Sequence, residues 1–299
     1  MNQRLTLPTA ALLTLPPVLW AGNAVVGRLV APLVPPITLN FLRWALAFVF
    51  LLPFAWRLLR GDSPIWARWR RYAVLGLLGV GCYNALQYMA VKTSTPINVT
   101  LVASSMPVFM LALGAGFFGQ RITRRQVAGA LLSIAGVLVV LSQGELRHLA
   151  EVRFVPGDVY MLVATAFWAL YSWLLTQPKD PPEVRSDWAG FLMAQLVPGV
   201  VWSGLFAATE TALGTQAIVW GPALFAALLY VAIGPALVAY RCWGLGVQRV
   251  GPNIAGFFSN LTPLFAAMFS AAFLGEAPRA FHALAFLLIV GGIVVSSRR

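Results

Sequence analysis

The chain has 299 residues, 60% of them hydrophobic and only 10% charged, with a mean hydropathy of +0.80 and a formal net charge of +12. A water-soluble domain of this length needs far more charge to cover its surface, so soluble enzymes and soluble binding modules are excluded. The basic excess raises a nucleic-acid partner, but almost no polar surface is available to carry one, and the reading is no nucleic acid.

Apolar runs of about 20 residues, the length that crosses a hydrocarbon core, follow one another along the whole chain. They predict spans at 8–30, 36–57, 72–91, 95–118, 125–143, 156–176, 187–208, 217–244, 250–274 and 280–297. The first run follows Arg4 but is too long for a signal-peptide core, and it is read as a retained helix. Period-two alternation is missing, which argues against an outer-membrane barrel. The expected fold is an all-α integral membrane protein of ten transmembrane helices, surrounded by lipid and without an inserted soluble domain.

Placing the charges on these spans fixes an orientation. With the N-terminus inside, the cytoplasmic segments hold Arg4, Arg57, Arg60, Arg68, Arg70, Arg71, Arg121, Arg124, Arg125, Lys179, Arg185, Arg249, Arg298 and Arg299. The outer segments hold only Arg28, Lys92, Arg147, Arg153 and Arg279. The positive-inside rule then puts both termini in the cytoplasm. Arg43 and Arg241 alone fall well inside spans, toward opposite membrane faces. Snorkelling to the interface is the default reading for both.

The chain repeats itself. Moving residues 83–142 forward by 156 positions sets Pro96 on Pro252, Pro107 on Pro263, Gly119 on Gly275 and Gly136 on Gly292. SSMPVFMLALGAGFFGQ (104–120) then lies over NLTPLFAAMFSAAFLGE (260–276), and LWAGN (19–23) echoes FWALY (167–171). The halves are 1–150 and 151–299, five spans each. An odd unit repeated in one membrane chain runs in opposite directions in its two copies. That is the plan of secondary transporters, whose substrate site lies near the midplane where the copies meet.

Helix interruptions also pair. Pro107 and Pro263 fall near the middle of the fourth and ninth spans, where a proline removes a hydrogen bond and kinks the helix. Ser104, Ser105, Asn260 and Thr262 stand close enough to serve the freed carbonyls. Gly79 in the third span lies opposite Pro235 in the eighth, a second mirrored weak point. Gly79, Pro107, Pro235 and Pro263 are therefore the candidate hinges.

Every carboxylate lies in a loop or at a span end, none in mid-membrane. Proton-coupled carriers usually need a buried ionisable group, so facilitated movement down a gradient fits better. Sodium coupling through carbonyls and hydroxyls stays open. The spans hold neutral polar and aromatic residues instead. Trp20, Asn23, Tyr83, Asn84, Gln87, Ser104, Trp168, Tyr171, Tyr240 and Asn260 are the candidate cavity lining, suited to an amino acid or similar small zwitterion. Asn84 and Gln87, on adjacent turns, are the preferred contacts to its carboxylate and amine. Tyr88, Trp173 and Trp243, nearer the span ends, read as interfacial belt residues. Cys82 and Cys242 form no motif, and His148 and His282 stand alone, so neither metal nor cofactor is indicated.

FLGEAPRAFHALAFLLIVGGIVVSS (273–297) and its counterpart FFGQRITRRQVAGALLSIAGVLVVL (117–141) resemble the duplicated signature of the drug/metabolite transporter superfamily, EamA type. LWAGN and FLRWALAFVFLLP (41–53) add to that resemblance. Glu276 matches the usual acidic residue of the motif, and Gln120 departs from it in the first copy. The resemblance implies two inverted five-helix copies and export of metabolites from the cytoplasm across a bacterial inner membrane. The chain is most similar to the aromatic amino acid exporters within it. An ion-coupled exporter of other metabolites or drugs is the alternative. A non-transporting membrane enzyme or scaffold would need a catalytic His/Asp cluster or a large polar domain, and the sequence has neither.

Overall fold

The computed structural model describes residues 5–94, 96–145, 147–150, 155–214, 216–274 and 280–298. Among them the chain is all helical. The first half consists of α1 (Leu7–Val30), α2 (Pro36–Ala55), α3 (Trp69–Gly76), α4 (Tyr83–Thr93), α5 (Pro96–Ala103), α6 (Met106–Phe117) and α7 (Arg124–Leu141). A one-turn α8 (Arg147–Ala150) leads to the second half. That half holds α9 (Pro156–Leu175), α10 (Pro182–Ser186), α11 (Trp188–Leu213), α12 (Pro222–Val231), α13 (Ala239–Val250), α14 (Pro252–Phe258), α15 (Leu261–Leu274) and α16 (Ala280–Ser297). Glu276 of the repeated motif lies outside the described residues.

Local chemistry sets the helix starts. Proline occupies the first helical position of α2, α9, α12 and α14, where its missing N–H is one that the helix leaves unpaired anyway. Thr123 and Gln126 form a reciprocal capping box on α7, Thr123 Oγ1 accepting from the Gln126 N–H at 3.2 Å and Gln126 Oε1 from the Thr123 N–H at 2.9 Å. Gly251, at φ 86°, supplies the left-handed residue that ends α13 and lets Pro252 begin α14 at once.

Among the described residues, eight helical stretches are long and apolar enough to cross a membrane, not ten. The two that do not qualify fall at the expected fourth and ninth spans, and each is broken in two. α5 stops at Ala103 and α6 starts at Met106; α14 stops at Phe258 and α15 starts at Leu261. The expected proline kinks are thus corrected. The chain breaks just ahead of each proline, and Pro107 and Pro263 sit in the first turn of the new helix, where the lost N–H is harmless. The breaks are turns of matching pattern, with Ser104 N–H bonded to the Leu101 carbonyl and Asn260 N–H to the Phe257 carbonyl, both at 3.2 Å. The other mirrored pair adopts π-helix: Leu77–Cys82, carrying Gly79, between α3 and α4, and Ala232–Val238, carrying Pro235, between α12 and α13.

The two halves interdigitate. α1 packs on α13 and α15, and reciprocally α9 packs on α4 and α6; α2 packs on α11, and α7 on α16. Each half therefore closes its first helix against the third and fourth segments of the other. The α7–α16 contact is the most extensive, and it is close. A Cβ added to Gly129 would lie 2.7 Å from the Gly292 carbonyl oxygen, and one on Gly136 would lie 2.9 Å from that of Ala285. As α7 advances from 129 to 136, α16 retreats from 292 to 285, so the helices are antiparallel. Without a hydrophobic force between helices in lipid, such close backbone approach of small residues supplies the packing.

Gly292→Ala should accordingly destabilise the protein by about 1–3 kcal/mol through overpacking, because its Cβ would meet the Gly129 carbonyl oxygen at 2.6 Å. Gly291→Ala, which meets nothing within 4 Å, should not. Thermal unfolding of the two variants in detergent tests this; equal melting would show that the α7–α16 contact is looser than described.

Candidate substrate site

Five aromatic side chains from both halves converge on Trp168, which is 1% exposed. Around it stand Trp20 of α1 at 5.3 Å between ring centroids, Tyr83 of α4 at 4.8 Å, Tyr171 at 5.1 Å, and Tyr240 and Trp243 of α13 at 5.2 and 5.6 Å. Trp20 also meets Trp243 at 5.4 Å. The local reason is spacing: Trp168 and Tyr171 on α9, and Tyr240 and Trp243 on α13, are each three residues apart, hence on one helix face. Such tilted and edge-on pairs are the favoured aromatic geometries. Trp20 and Tyr83 are only partly buried, as is Gln87 one turn beyond Asn84.

The cluster is tied to the irregular backbone. The Tyr240 hydroxyl donates to the Gly79 carbonyl inside the first π-segment, and Trp20 Nε1 donates to the Pro235 carbonyl inside the second at 3.3 Å. The mirrored pair Gly79 and Pro235 thus each receive an aromatic donor from the opposite half. Asn40 Nδ2 adds a bond to the Val80 carbonyl at 3.0 Å. A side chain at Gly79 would collide with the Tyr171 ring at 2.8 Å, which is why glycine stands there. The Tyr171 hydroxyl donates to Gln195 Oε1 at 2.9 Å.

Beside this lies a polar knot around Arg43. The side chain is 0% exposed, and its Nη1 donates to Asn84 Oδ1 at 3.0 Å, Tyr88 Oη at 3.4 Å and Asn23 Oδ1 at 3.5 Å. Snorkelling is therefore wrong for Arg43: it lies on the buried stripe Asn40, Arg43, Trp44, Ala47, Leu51 and points into the protein. Inserting an arginine at a membrane helix centre costs about 2.5–3.5 kcal/mol even on the mildest scale, so partners inside are required. Arg241 is exposed, with its guanidinium stacked 4.4 Å from the Trp188 ring centroid.

The belt reading fails for three residues. Tyr88 belongs to the Arg43 knot, Trp243 is 0% exposed with Nε1 donating to Ser172 Oγ at 3.0 Å, and Trp173 donates to the Met110 carbonyl at 2.9 Å. Depth along a helix does not reveal which way a side chain faces. Of the candidate lining residues, Trp20, Tyr83, Trp168, Tyr171 and Tyr240 come together, and Asn23 and Asn84 meet at Arg43. Ser104 and Asn260 make their bonds at the helix breaks instead. Ser104 Oγ donates to the Leu101 carbonyl at 2.6 Å, and Asn260 Nδ2 to Ser133 Oγ of α7 at 2.9 Å. Sequence reasoning missed Arg43, Asn40, Trp44 and Gln195. The signal for the first three was their helical spacing in an apolar run.

Replacing Tyr240 by Phe strands the Gly79 carbonyl in a buried place, for which the expected loss is about 1–3 kcal/mol. Tyr160→Phe, on an exposed side chain of α9, serves as the control and should be silent. Chemical or thermal unfolding in detergent decides; equal effects would remove the hydroxyl from any bracing role.

An archaeal relative from Archaeoglobus fulgidus, named an uncharacterized transporter, is 28% identical over 97% of this chain and 98% of its own. The aromatic amino acid exporter YddG of Ancylobacter novellus is 27% identical over 80% of this chain and 77% of its own. A solved crystal structure superposes with a TM-score of 0.70 at 23% identity, covering 96% of both chains, a likeness of fold. The EamA-like transporter family model matches twice, at residues 7–142 and 155–298, and the chain is a two-repeat integral membrane transporter of that family.

Proposed function

We propose that this transporter exports amino acids, neutral and aromatic ones with broad specificity, from the cytoplasm by alternating access. The two repeats, five spans each when the broken fourth and ninth are counted, are inverted relative to one another in a bacterial inner membrane, with both termini in the cytoplasm. The single observation that carries the reading is the aromatic cluster around Trp168, built by both repeats and braced against both π-segments. An aromatic or aliphatic side chain finds matching apolar surface there, and any rocking of one repeat against the other changes that cluster first. The exporter name borne by one relative supports the substrate class.

Inversion is supported by the antiparallel α7–α16 contact and by the reciprocal packing of each first helix on the other half. Gly79 and Pro235 are the proposed hinges, because π-helical turns have slack that α-helical turns lack; Pro107 and Pro263 are proposed to fix the restart of the broken helices. The charge distribution supports a facilitative carrier. Three carboxylates are engaged near helix ends: Asp158 Oδ2 accepts from the Val155 N–H at 2.8 Å, Glu210 from the Thr38 N–H at 2.7 Å, and Asp180 pairs with Arg71 at 2.6 Å and Arg185 at 3.1 Å.

Counterflow of a labelled amino acid in proteoliposomes should therefore proceed without an imposed pH gradient. Trp168→Ala should change the ranking among aromatic and aliphatic substrates. The pocket's discrimination should stay within about 1–3 kcal/mol per methylene. A strict requirement for a proton gradient, or an unaltered ranking in the variant, would overturn the corresponding part of the proposal.

Orientation has its own test. Asp62 and Ala150 are both exposed, whereas Ser63 beside Asp62 is buried. In a background without Cys82 and Cys242, a membrane-impermeant thiol reagent added outside intact cells should label Ala150→Cys and leave Asp62→Cys untouched. The reverse pattern would sink the cytoplasmic placement of the termini.

A further inference from the structure

Arg43 is bonded on one side only. Nη1 takes all three of its hydrogen bonds, to Asn84, Tyr88 and Asn23, while Nε and Nη2 are buried with no hydrogen-bond partner. Nε and Nη2 form one edge of the guanidinium plane, the two parallel donors that match both oxygens of a carboxylate. The neighbouring Trp44 Nε1 is likewise a buried donor without an acceptor. None of the ion pairs among the described residues includes Arg43.

The free edge is also held in place. Asn23 Oδ1 receives the Tyr88 hydroxyl at 3.2 Å as well as Arg43 Nη1, so α1, α2 and α4 fix the guanidinium from its bonded side. The Trp44 ring lies 4.9 Å from the guanidinium carbon and 4.8 Å from the Tyr240 ring, which joins this knot directly to the aromatic cluster. A buried cation with a vacant bidentate edge, set next to an apolar aromatic wall, matches a molecule carrying a carboxylate at one end and an apolar group at the other.

We propose that the Nε–Nη2 edge of Arg43 binds the carboxylate of the transported amino acid while its side chain packs on the Trp168 cluster. This rests on the amino acid reading given above. Asn84 is then a positioning residue, because its Oδ1 is committed to Arg43, and Asn23 and Tyr88 act the same way. Burial of Arg43 in this arrangement means that the carboxylate reaches it when the repeats move apart.

The test is a competition assay on purified protein in detergent with radiolabelled L-phenylalanine as the probe. The competitors are unlabelled phenylalanine, 3-phenylpropionate, which keeps the carboxylate, and phenylalaninamide and phenethylamine, which lack it. Wild type should prefer phenylalanine over its amide by about 10- to 100-fold, the worth of a charge-assisted pair. Phenylpropionate should compete where phenethylamine does not. Arg43→Gln should lose that preference, binding acid and amide alike at the weak level of the amide, and Arg43→Lys should retain part of it. Wild type that binds phenethylamine as well as phenylalanine overturns the inference without recourse to any variant, as does an Arg43→Gln protein with the preference intact; in both cases amino acid binding itself stands. Wild type that binds no phenylalanine and no other amino acid in a wider panel overturns the substrate reading and this inference together.

Discussion

A backbone carbonyl in a lipid bilayer must find a donor inside the protein, and the rest of this structure depends on that. Two spans are broken outright and two more loosen into π-helix, so four stretches of backbone do not satisfy themselves as a continuous α-helix would. At the first break the remedy is local, with the Ser104 and Ser105 hydroxyls turned back on the carbonyls of the preceding turn. At the π-segments it is not. The donors at Gly79 and Pro235 come from Tyr240 and Trp20, each in the opposite repeat. The irregular backbone proposed to act as the hinges is thereby the same backbone that fastens the repeats together.

This explains why aromatics rather than carboxylates fill the centre. Tyr and Trp bring a single donor on a large apolar ring, enough to serve one stray carbonyl without adding charge. A carboxylate brings only acceptors and could not do so. The acidic residues Asp180 and Glu210 sit instead at helix ends, where Asp180 accepts two bonds from Arg71 and one from Arg185, and Glu210 closes the start of α2. Arg71 also donates to the Leu174 carbonyl at 3.0 Å, so this ionic knot joins the start of α3 to the end of α9, across the repeat boundary.

Much of this was legible in the sequence, and what was not has physical causes. Apolar runs gave the spans because lipid imposes length, and the shift between the copies exposed Gly79 and Pro235 as partners. The gathering of Trp20, Tyr83, Trp168, Tyr171 and Tyr240 followed from placing aromatics on the right helices. Facing was the hidden variable. Distance from a span end misleads for Arg43, Tyr88, Trp173 and Trp243, all four of which are buried against neighbouring helices. The prolines were read correctly as marks of interruption but not as first-turn residues of a new helix. That distinction depends on where the preceding helix ends, which at Ser104 and Asn260 is set by i to i+3 turns that leave little trace in composition.

The departures from symmetry carry as much meaning as the symmetry. Packing pairs and π-segments are mirrored between the repeats. The chemistry is not. Asn84, whose oxygen holds the guanidinium, falls opposite Tyr240, an aromatic of the central cluster. The first repeat thus supplies the buried cation and the amides around it, and the second supplies most of the rings. On the proposed reading, a zwitterion bound between the repeats is oriented by that difference, its carboxylate toward α2 and its side chain toward α9 and α13. A perfectly symmetrical pair of repeats would offer both orientations equally. On that reading the chemical equivalence of the repeats is broken at a few positions, while their backbone equivalence is kept.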